Sequence, residues 1–517
     1  MIKNTVEKLL RDLKPSKSPG PDGIHPRVLK ELAAEVATPL QIIFQSSVFS
    51  GTIPQSWKMA NITPIFKKGD KRDPSNYRPV SLTSIVSKIL ERIIRDNLID
   101  QFRRNHLLSD KQYGFLTGRS TTLQLIQVME DWTQYLDRGN AVDVVYMDFM
   151  KAFDKVPHSH LIQKLKCLGV NMQAVNWIHD FLTGRTQVVK YQNNISSAIS
   201  VISGVPQGTV IGPVSFLSYI NDLPDEVASK VYLFADDTKM YREIISTMDC
   251  QQLQSDIDSL EIWSRKWQLQ FHPDKCKVMT VGRSKLLSNY TMTQRDGLTK
   301  PLDKSRLERD LGITVDDGLA FSEHIHKSAN KANGIMAVIR RTFTCLDCKC
   351  FSMLFKSLVR PHLEYGVPVW FPYKVKDIYE VENVLKRATK QVRSLRRLNY
   401  KQRQIKLNLP TMKYRRHRGD MIEVFKILHG IYDRDITEGI LQLAQNTRTR
   451  GHSLKLTTQS SRLELRRNCF SVRVVKPWNS LPETVVSSPS VKVFEARLDE
   501  VWKNQPVRFD YKEELQL

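Results

Sequence analysis

The chain has 517 residues, of which 78 are Lys or Arg and 54 are Asp or Glu, so its formal net charge is +24. A positive excess of this size favours a polyanionic partner such as nucleic acid. No apolar run reaches the roughly 18 residues that a membrane-spanning helix requires, and seven cysteines spread over so long a chain exclude a disulfide framework.

The N-terminal part of the sequence predicts two helices separated by a loop. Residues 1–14 carry apolar side chains at helical spacing, and residues 27–50 show the same period. The stretch Lys14-Pro-Ser-Lys-Ser-Pro-Gly-Pro-Asp-Gly-Ile-His-Pro26 lies between them and interrupts regular structure, because proline fixes its backbone and glycine frees it. A strand ending in a basic turn is predicted at residues 60–70.

Two further helices, predicted over residues 85–102 and 121–138, lead to an apolar strand at residues 142–147. This strand runs into Tyr146-Met-Asp-Phe-Met-Lys-Ala-Phe-Asp154 and delivers Asp148 at its end. Phe153 follows where the strand should turn into a helix. In a nucleotide site, a ring at this point would press on the sugar 2′ position and exclude ribonucleotides.

A second apolar strand, residues 231–235, ends in an acidic pair within Tyr232-Leu-Phe-Ala-Asp-Asp-Thr238. Paired Asp at a tight turn predicts a β-hairpin tip. If the two strands are neighbours, Asp148, Asp236 and Asp237 converge, and their charges repel unless a hard divalent cation such as Mg²⁺ neutralises them. An Asp pair alone is more often a solvated turn. Together with Asp148 and Phe153 it predicts a two-metal phosphoryl or nucleotidyl transfer site.

These two stretches, with Ser203-Gly-Val-Pro-Gln-Gly-Thr209 between them, resemble the reverse transcriptases of non-LTR retrotransposons, the Jockey-like LINE group. The resemblance runs from about Ser18 to near the C-terminus. It implies an α/β (α+β) right-hand polymerase with palm, fingers and helical thumb, followed by a basic and mostly helical C-terminal region. The implied divisions are an N-terminal helix and linker at 1–17, fingers and palm at 18–320, a thumb-like helical region at 321–400 and the basic region at 401–517.

The resemblance implies an RNA-directed DNA polymerase that uses two Mg²⁺ ions, with Mn²⁺ as a possible substitute. Asp148, Asp236 and Asp237 would be its catalytic metal ligands. The backbone carbonyl of Phe149 would complete the metal shell. Lys275 matches a lysine that would protonate the leaving pyrophosphate.

Nucleotide contacts are also implied by the resemblance. Arg78, within Asn76-Tyr-Arg-Pro-Val-Ser-Leu82, would reach the incoming triphosphate, because a planar guanidinium can bind two phosphate oxygens at once. Lys67 is a further phosphate candidate. Gln207 and Gly208 match residues that line the nucleotide pocket, and Phe153 matches the residue that selects deoxyribonucleotides.

The resemblance also covers contacts with the nucleic acid strands. Residues 307–315 resemble the strand that grips the primer end, with Leu311 and Gly312 at the matching positions. Leu116 stands where the family usually has an arginine, and this departure leaves Arg119 as the nearby candidate for a template contact.

A basic segment follows the expected thumb: residues 386–418 hold thirteen Lys or Arg and no Asp or Glu. Apolar residues interleave with the charges and predict a helix with one apolar face and one basic face. A solvated face usually carries both signs of charge, so a single sign indicates contact with phosphates. The nucleic-acid-binding candidates are Lys386, Arg387, Lys390, Arg393, Arg396 and Arg397.

Two smaller features carry little chemistry. Cys345, Cys348 and Cys350 could hint at zinc, but no second pair at ligand spacing follows, so we interpret them as ordinary residues around a helix start. Residues 447–452 form a predicted basic loop.

The expected partners are an RNA template, a DNA primer or target and deoxynucleoside triphosphates, with no membrane. Family members usually carry an endonuclease domain before this region. No stretch here resembles one, so we expect endonuclease activity to come from elsewhere. We expect an intracellular protein, in the nucleus or else the cytoplasm. Two alternatives stay open, a catalytically inactive nucleic-acid-binding remnant and a group II intron-type maturase.

Overall fold

The computed structural model describes residues 3–284, 286, 288–293, 297–444 and 451–517, which form a mixed α/β fold. None of the helices within these ranges is long and apolar enough to cross a membrane. The strands are β1 (Met59–Phe66), β2 (Tyr77–Leu82), β3 (Ala141–Met147), β4 (Arg185–Tyr191), β5 (Asn194–Ile195), β6 (Ile199–Val201), β7 (Lys230–Phe234), β8 (Asp237–Ile244), β9 (Lys277–Val281), β10 (Thr291–Thr293), β11 (Thr299–Pro301), β12 (Asp303–Lys304), β13 (Leu307–Asp310) and β14 (Ile313–Asp316).

The helices surround the sheets and make up most of the chain beyond β14. They are α1 (Lys3–Arg11), α2 (Pro26–Glu31), α3 (Ala33–Ser50), α4 (Ile85–Arg104), α5 (Thr121–Arg138), α6 (His158–Cys167), α7 (Met172–Leu182), α8 (Ile211–Ile220), α9 (Thr247–Lys266), α10 (Ser322–Thr342), α11 (Cys348–Leu354), α12 (Arg360–Glu364), α13 (Val367–Trp370), α14 (Val375–Ala388), α15 (Tyr400–Leu407), α16 (Met412–Leu428), α17 (Arg434–Thr437), α18 (Glu464–Arg467), α19 (Phe470–Arg473), α20 (Val475–Asn479), α21 (Glu483–Val486) and α22 (Val491–Val501).

Two sheets organise the fold. The central sheet has the strand order β12-β9-β3-β8-β7, and β3 pairs antiparallel with β8 on one side and with β9 on the other. The distal sheet has the order β2-β1-β4-β5, with β6 also paired to β4. The two apolar strands predicted before the Asp motifs are thus β3 and β7, joined through β8 rather than directly paired.

The central sheet is buried on both faces, so alternate residues of β3 enter two different apolar cores. Val145 and Met147 belong to a core drawn from residues 6–302. Val142 and Val144 belong to a second core drawn from residues 113–507. Burial on both faces explains why β3 is apolar at most positions, with Asp143 as the buried exception. The second core crosses residues 321 and 401 without interruption, and the domain divisions there stay predictions.

The N-terminal helices follow the sequence only in part. The first predicted helix is confirmed as α1, which buries Val6, Leu9 and Leu10. The predicted helix at 27–50 is wrong as one element, because Leu32 leaves the helical conformation and divides it into α2 and α3. Leu32 itself is 46% exposed. Part of the predicted apolar stripe is therefore exposed, while Leu29 and Phe44 enter one core.

The basic segment 386–418 is not the single amphipathic helix that the sequence predicts. Helix α14 ends at Ala388, and two short 3-10 turns follow. Asn399 then starts α15 through reciprocal capping with Gln402. Arg403 and Arg416 are buried rather than presented to nucleic acid. Local capping signals thus outweigh the long charge pattern.

The C-terminal region packs against α5 through buried ion pairs. Arg466 lies 2.5 Å from Glu130, and both side chains are buried. Arg119, the predicted template contact, pairs with Asp433 at 3.0 Å and donates to two loop carbonyls, so its guanidinium is already occupied. Within the predicted basic loop, residues 447–450 lie outside the described residues.

Buried His324 links α10 to β14 and makes stability dependent on pH. Its Nδ1 accepts the Thr314 N–H at 3.1 Å. Burial, then the charges of Lys327 and Arg309, lowers the pKa of His324 from 6.5 to about 4. The folded protein therefore resists protonation that the unfolded chain accepts, so this stability is complete above pH 6.5 and is lost as the pH falls toward 4.

We predict that His324→Asn, which keeps an acceptor but cannot titrate, flattens this pH dependence. Since one pKa unit is worth about 1.4 kcal/mol, the wild type should lose about 3 kcal/mol more unfolding free energy between pH 7 and pH 4 than the variant. Chemical denaturation at several pH values measures this difference. His326→Asn, on the exposed side of the same helix, should keep the wild-type slope, and equal slopes for all three proteins would contradict the assignment.

Candidate active site

The acidic pair lies at a hairpin tip, as the sequence predicts. Phe234 pairs with Asp237, which leaves Ala235 and Asp236 as a two-residue turn between β7 and β8. Gln112 holds this turn, because its Oε1 accepts the Ala235 N–H at 2.9 Å. The hairpin is therefore fixed from outside by the segment that precedes α5.

Asp148 follows β3 directly, and Met147 is paired with Thr238 of β8. Asp148 and Asp237 line one cavity of about 560 Å³, which Lys275 and Leu311 also line. Segments nearly 90 residues apart in sequence thus meet at the end of the central sheet. Asp236 sits beside them on the turn.

The carboxylates at the end of the central sheet repel one another. Burial, then the charges of Asp236, Asp310 and Asp148, raises the pKa of Asp237 to about 6. Burial and the Asp148 charge also raise the pKa of Asp236. Excess negative charge at this point favours a bound cation.

The positive groups Arg78 and Lys67 partly offset the rise in the pKa of Asp236. Both lie on the β1–β2 side of the site, at or next to the ends of those strands. The two predicted phosphate contacts are thus brought within electrostatic range of the hairpin tip.

The oxygen donors have the chemistry that a hard divalent ion prefers. Within the described residues, no group of three or more His, Cys, Asp or Glu side chains is already arranged to hold a metal ion. Asp148 instead pairs with Lys275, whose Nζ lies 2.9 Å from Oδ2. The Lys275 ammonium and a bound metal ion would therefore compete for the same Asp148 oxygen.

Phe149 can offer its backbone carbonyl to the site. Its ring is buried and stacks on Phe271 at 4.4 Å. The His272 N–H donates to the Asp148 carbonyl, and the Met150 N–H donates to the Gln270 carbonyl. An isolated bridge pairs Phe149 with Phe271 beyond the end of β3, and the alternation of backbone groups along such a pairing predicts that the Phe149 carbonyl points to the opposite side.

Phe153 belongs to an aromatic cluster at the start of the segment after Asp148. Its ring stacks on Phe216 at 4.4 Å and meets Phe115 edge to face at 6.3 Å. Two aromatic neighbours restrict the rotamers that Phe153 can adopt. The ring is therefore held in place before any ligand arrives.

The loop containing Gln207 and Gly208 joins the two sheets. The side-chain amide of Gln207 donates to the Asp154 carboxylate at 2.9 Å. The backbone carbonyl of Gln207 accepts the Ser81 N–H of β2 at 2.7 Å. Gly208 has φ +105°, and a Cβ there would lie 2.6 Å from the Ser81 carbonyl oxygen. Only glycine permits so close an approach.

Leu311 and Gly312 form the turn between β13 and β14, with φ values of +45° and +91°. The Tyr365 hydroxyl donates to the Leu311 carbonyl at 2.8 Å. The Tyr365 ring also lies against Gly312, since a Cβ there would be 3.1 Å from it. The predicted primer grip thus has a defined conformation at the edge of the Asp148–Asp237 cavity.

Sequence reasoning missed several charged residues that line this cavity, among them Lys239 and Asp310. Lys239 follows Asp237 by two residues on a strand, so the alternation of side chains could have placed both on one face. Asp310 directly precedes the predicted turn at Leu311. No local signal pairs these two charges with each other.

Three of the six basic candidates, Arg387, Lys390 and Arg396, line a cavity separate from the Asp148–Asp237 cavity, which we call the basic groove. It has a volume of about 610 Å³. Lys386, Arg393 and Arg397 do not line it. Its lining consists of Asn333, Met336, Ala337, Arg340, Val384, Arg387, Ala388, Lys390, Gln391 and Arg396.

Residues 65–324, half of the chain, match the family model described as reverse transcriptase (RNA-dependent DNA polymerase). The chain belongs to the reverse transcriptase family, whose members generally use divalent metal ions. The matched region contains the three Asp, the loop at 203–209 and the Leu311–Gly312 turn. The predicted membership of the non-LTR retrotransposon group is confirmed by the relatives.

Three of the similar proteins come from mobile elements of Drosophila melanogaster. The chain is 28% identical to the probable RNA-directed DNA polymerase from transposon BS, over 71% of this chain and 41% of that protein. It is 29% identical to the RNA-directed DNA polymerase from mobile element jockey, with the same coverage of both chains. For the probable RNA-directed DNA polymerase from transposon X-element, the identity is 26% over 69% of this chain and 40% of the other. The chain spans about two fifths of the length of these relatives.

We predict that Gly208→Ala destabilises the protein by about 1–3 kcal/mol, because a side chain at positive φ is strained and would meet the Ser81 carbonyl. Chemical denaturation measures the change. Gly334→Ala is the matched control, since a Cβ there meets nothing within 4 Å and the residue lies in α10. The control should be neutral or stabilising by up to about 1 kcal/mol. Equal stability of both variants would show that the loop does not need glycine.

Proposed function

We propose that this chain is an RNA-directed DNA polymerase that extends a DNA primer by copying an RNA template. The observation that carries the proposal is the shared cavity of Asp148 and Asp237, bordered by the Leu311 turn, inside the segment that matches the family model. The relatives bear the name RNA-directed DNA polymerase, which favours this function over an inactive remnant or a maturase.

In this proposal the central sheet is the palm of a right-hand polymerase. The distal sheet, with strands from residues 59–82 and 185–201, is the fingers. Helices α10 to α14 form the thumb. The loop at 203–209 then connects palm and fingers through its bonds to Asp154 and Ser81.

Asp148, Asp236, Asp237 and the Phe149 carbonyl would hold two Mg²⁺ ions, or Mn²⁺. When bound, such ions activate a primer hydroxyl and neutralise charge on the departing pyrophosphate. Lys275 keeps an ammonium at the cavity wall beside Asp148, from which it can donate a proton to the leaving group.

The nucleotide would lie between the palm and the β1–β2 side of the site. Arg78 and Lys67 would bind its triphosphate, because their charges already act on Asp236. The Phe153 ring, fixed by its stacking on Phe216, would exclude a 2′-hydroxyl. Gln207 and Gly208 would line the pocket on the loop side.

The basic groove would bind the sugar-phosphate backbone of the template–primer. Arg340 of α10 faces it from one side, while Arg387, Lys390 and Arg396 face it from the other. Its lining contains no acidic residue, so phosphates meet only attraction there. Lys386, Arg393 and Arg397 would extend the positive surface beyond the groove.

The partners in this proposal are an RNA template, a DNA primer and deoxynucleoside triphosphates. The primer end would lie at a nick in target DNA, and an endonuclease activity from elsewhere would supply that nick. The nucleus is the compartment in which such a target is found.

We predict that Asp236→Asn and Asp237→Asn each reduce primer extension on primed poly-A at least about 100-fold, because metal-assisted charge stabilisation is worth several kcal/mol. The measurement is incorporation of labelled deoxynucleotide with Mg²⁺. Asp225→Asn, an exposed carboxylate in the short helix before β7, is the matched control and should keep wild-type activity.

Equal incorporation by the wild type and both variants would remove the proposed mechanism. A wild-type chain that binds RNA but extends no primer would favour the inactive remnant. Restored splicing of a cognate intron would favour the maturase.

We predict that replacing Arg387, Lys390 and Arg396 together by Gln weakens binding of template–primer and flattens its salt dependence. Each lost phosphate contact should reduce the slope of log affinity against log salt by about 1. Fluorescence anisotropy across a salt series measures both quantities. A matched triple Gln replacement of exposed lysines near the C-terminus, at 492, 503 and 512, should leave the slope unchanged. An unchanged slope in the groove variant would exclude the groove as a phosphate site.

A further inference from the structure

A buried ion pair lies against the wall of the Asp148–Asp237 cavity. Lys239 Nζ lies 2.5 Å from Asp310 Oδ2, and the two residues are 4% and 6% exposed. Both side chains line the cavity together with Asp237. Because side chains alternate along a strand, Lys239 points to the same face of β8 as Asp237.

The pair joins two parts of the site that are separate in sequence. Lys239 belongs to β8, which begins at Asp237. Asp310 is the last residue of β13 and directly precedes the Leu311–Gly312 turn. The position of the Leu311–Gly312 turn relative to Asp237 thus depends on one ion pair, between Lys239 and Asp310.

A second ion pair fixes the direction of the hairpin. Tyr146 of β3 is opposite Lys239 on one side and opposite Lys277 on the other, so these three residues form one row across the central sheet. Glu308, two residues before Asp310 on β13, lies 3.0 Å from Lys277. Strand β13 therefore crosses this row and forms two ion pairs with it, one through Glu308 and one through Asp310.

The two pairs differ in burial, so they should differ in strength. Lys277 is 40% exposed at its side chain and can stay solvated when unpaired. Lys239 and Asp310 are almost wholly removed from water, and removing one partner leaves an uncompensated buried charge. Apolar residues could stabilise this contact equally well, but they would define the position of the turn less sharply.

We propose that Lys239 and Asp310 are positioning residues, whose ion pair holds the Leu311–Gly312 turn so that a primer end bound there meets the acidic site. The inference rests on the proposed polymerase function. It adds two residues that touch no reacting atom and act through the turn. It concerns the primer and leaves the contacts with the incoming nucleotide unchanged.

Steady-state extension kinetics with Asp310→Asn test the positioning role. The KM for primer–template should rise at least about tenfold, while the KM for the nucleotide should change less than about twofold, because only the grip on the primer is altered. The double variant Lys239→Met/Asp310→Leu removes both charges and keeps the packing, so it should recover the stability that the single variant loses but leave the primer KM raised, and a wild-type primer KM in the double variant would overturn the positioning role. It also carries the test if the single variant does not fold.

Hydrogen exchange of the β13–β14 amides provides a readout that is independent of activity. In Asp310→Asn these amides should exchange at least about tenfold faster, while β3 and β8 stay protected. Glu514→Gln is the matched control, because it breaks a Lys–carboxylate contact of the same length with Lys413 at an exposed end of the chain.

The outcomes separate the two proposals. Unchanged exchange of the hairpin in Asp310→Asn overturns the inference, and so does accelerated exchange with an unchanged primer KM. An equal rise of both KM values also overturns it, since that result indicates general damage to the site. Failure of the wild type to extend any primer rejects the polymerase function instead.

Discussion

Repulsion among carboxylates that line one cavity is the constraint on which the rest of this site depends. Asp148, Asp237 and Asp310 border the same space, and the charges of Asp310 and Asp148 raise the pKa of Asp237. Two of them form ion pairs with ammonium groups: Asp148 pairs with Lys275, and Asp310 pairs with Lys239. The acidic pair at the hairpin tip is left undercompensated, and that imbalance is what a cation relieves.

Such a charge arrangement needs a rigid support, which the central sheet provides. Its middle strand enters one core with Val145 and Met147 and another with Val142 and Val144. Carboxylates at the end of a strand that is packed on both faces cannot move apart to reduce their repulsion. The C-terminal helices supply the second of these cores, so the basic region beyond residue 401 is part of the support for the site.

The connections around the site each have a different physical basis. The loop at 203–209 reaches the distal sheet through backbone contact, which Gly208 permits by lacking a side chain. The Leu311 turn is held to the central sheet by the ion pair of Asp310 with Lys239. Its Leu311 carbonyl also accepts the hydroxyl of Tyr365, which directly follows α12. Backbone contact fixes the loop closely, whereas the turn depends on charges that single substitutions can remove.

The sequence by itself determined the features that depend on near neighbours. The apolar runs before Asp148 and Asp236, the hairpin tip and helix α1 all follow from alternation, helical period and turn chemistry within a few residues. The family resemblance supplied the mixed α/β class and the order of the motifs.

Only the tertiary structure decided which distant groups meet. Lys239 and Asp310 are 71 residues apart in sequence, and no local pattern pairs them. The sequence predicted Arg119 as a template contact, yet its guanidinium is paired with Asp433, which lies more than 300 residues away in sequence. The basic segment at 386–418 divided into short helices with some buried arginines, because packing and capping at each point outweighed its overall charge. Partners across such distances depend on which faces of the elements come together, and a one-dimensional pattern does not contain that information.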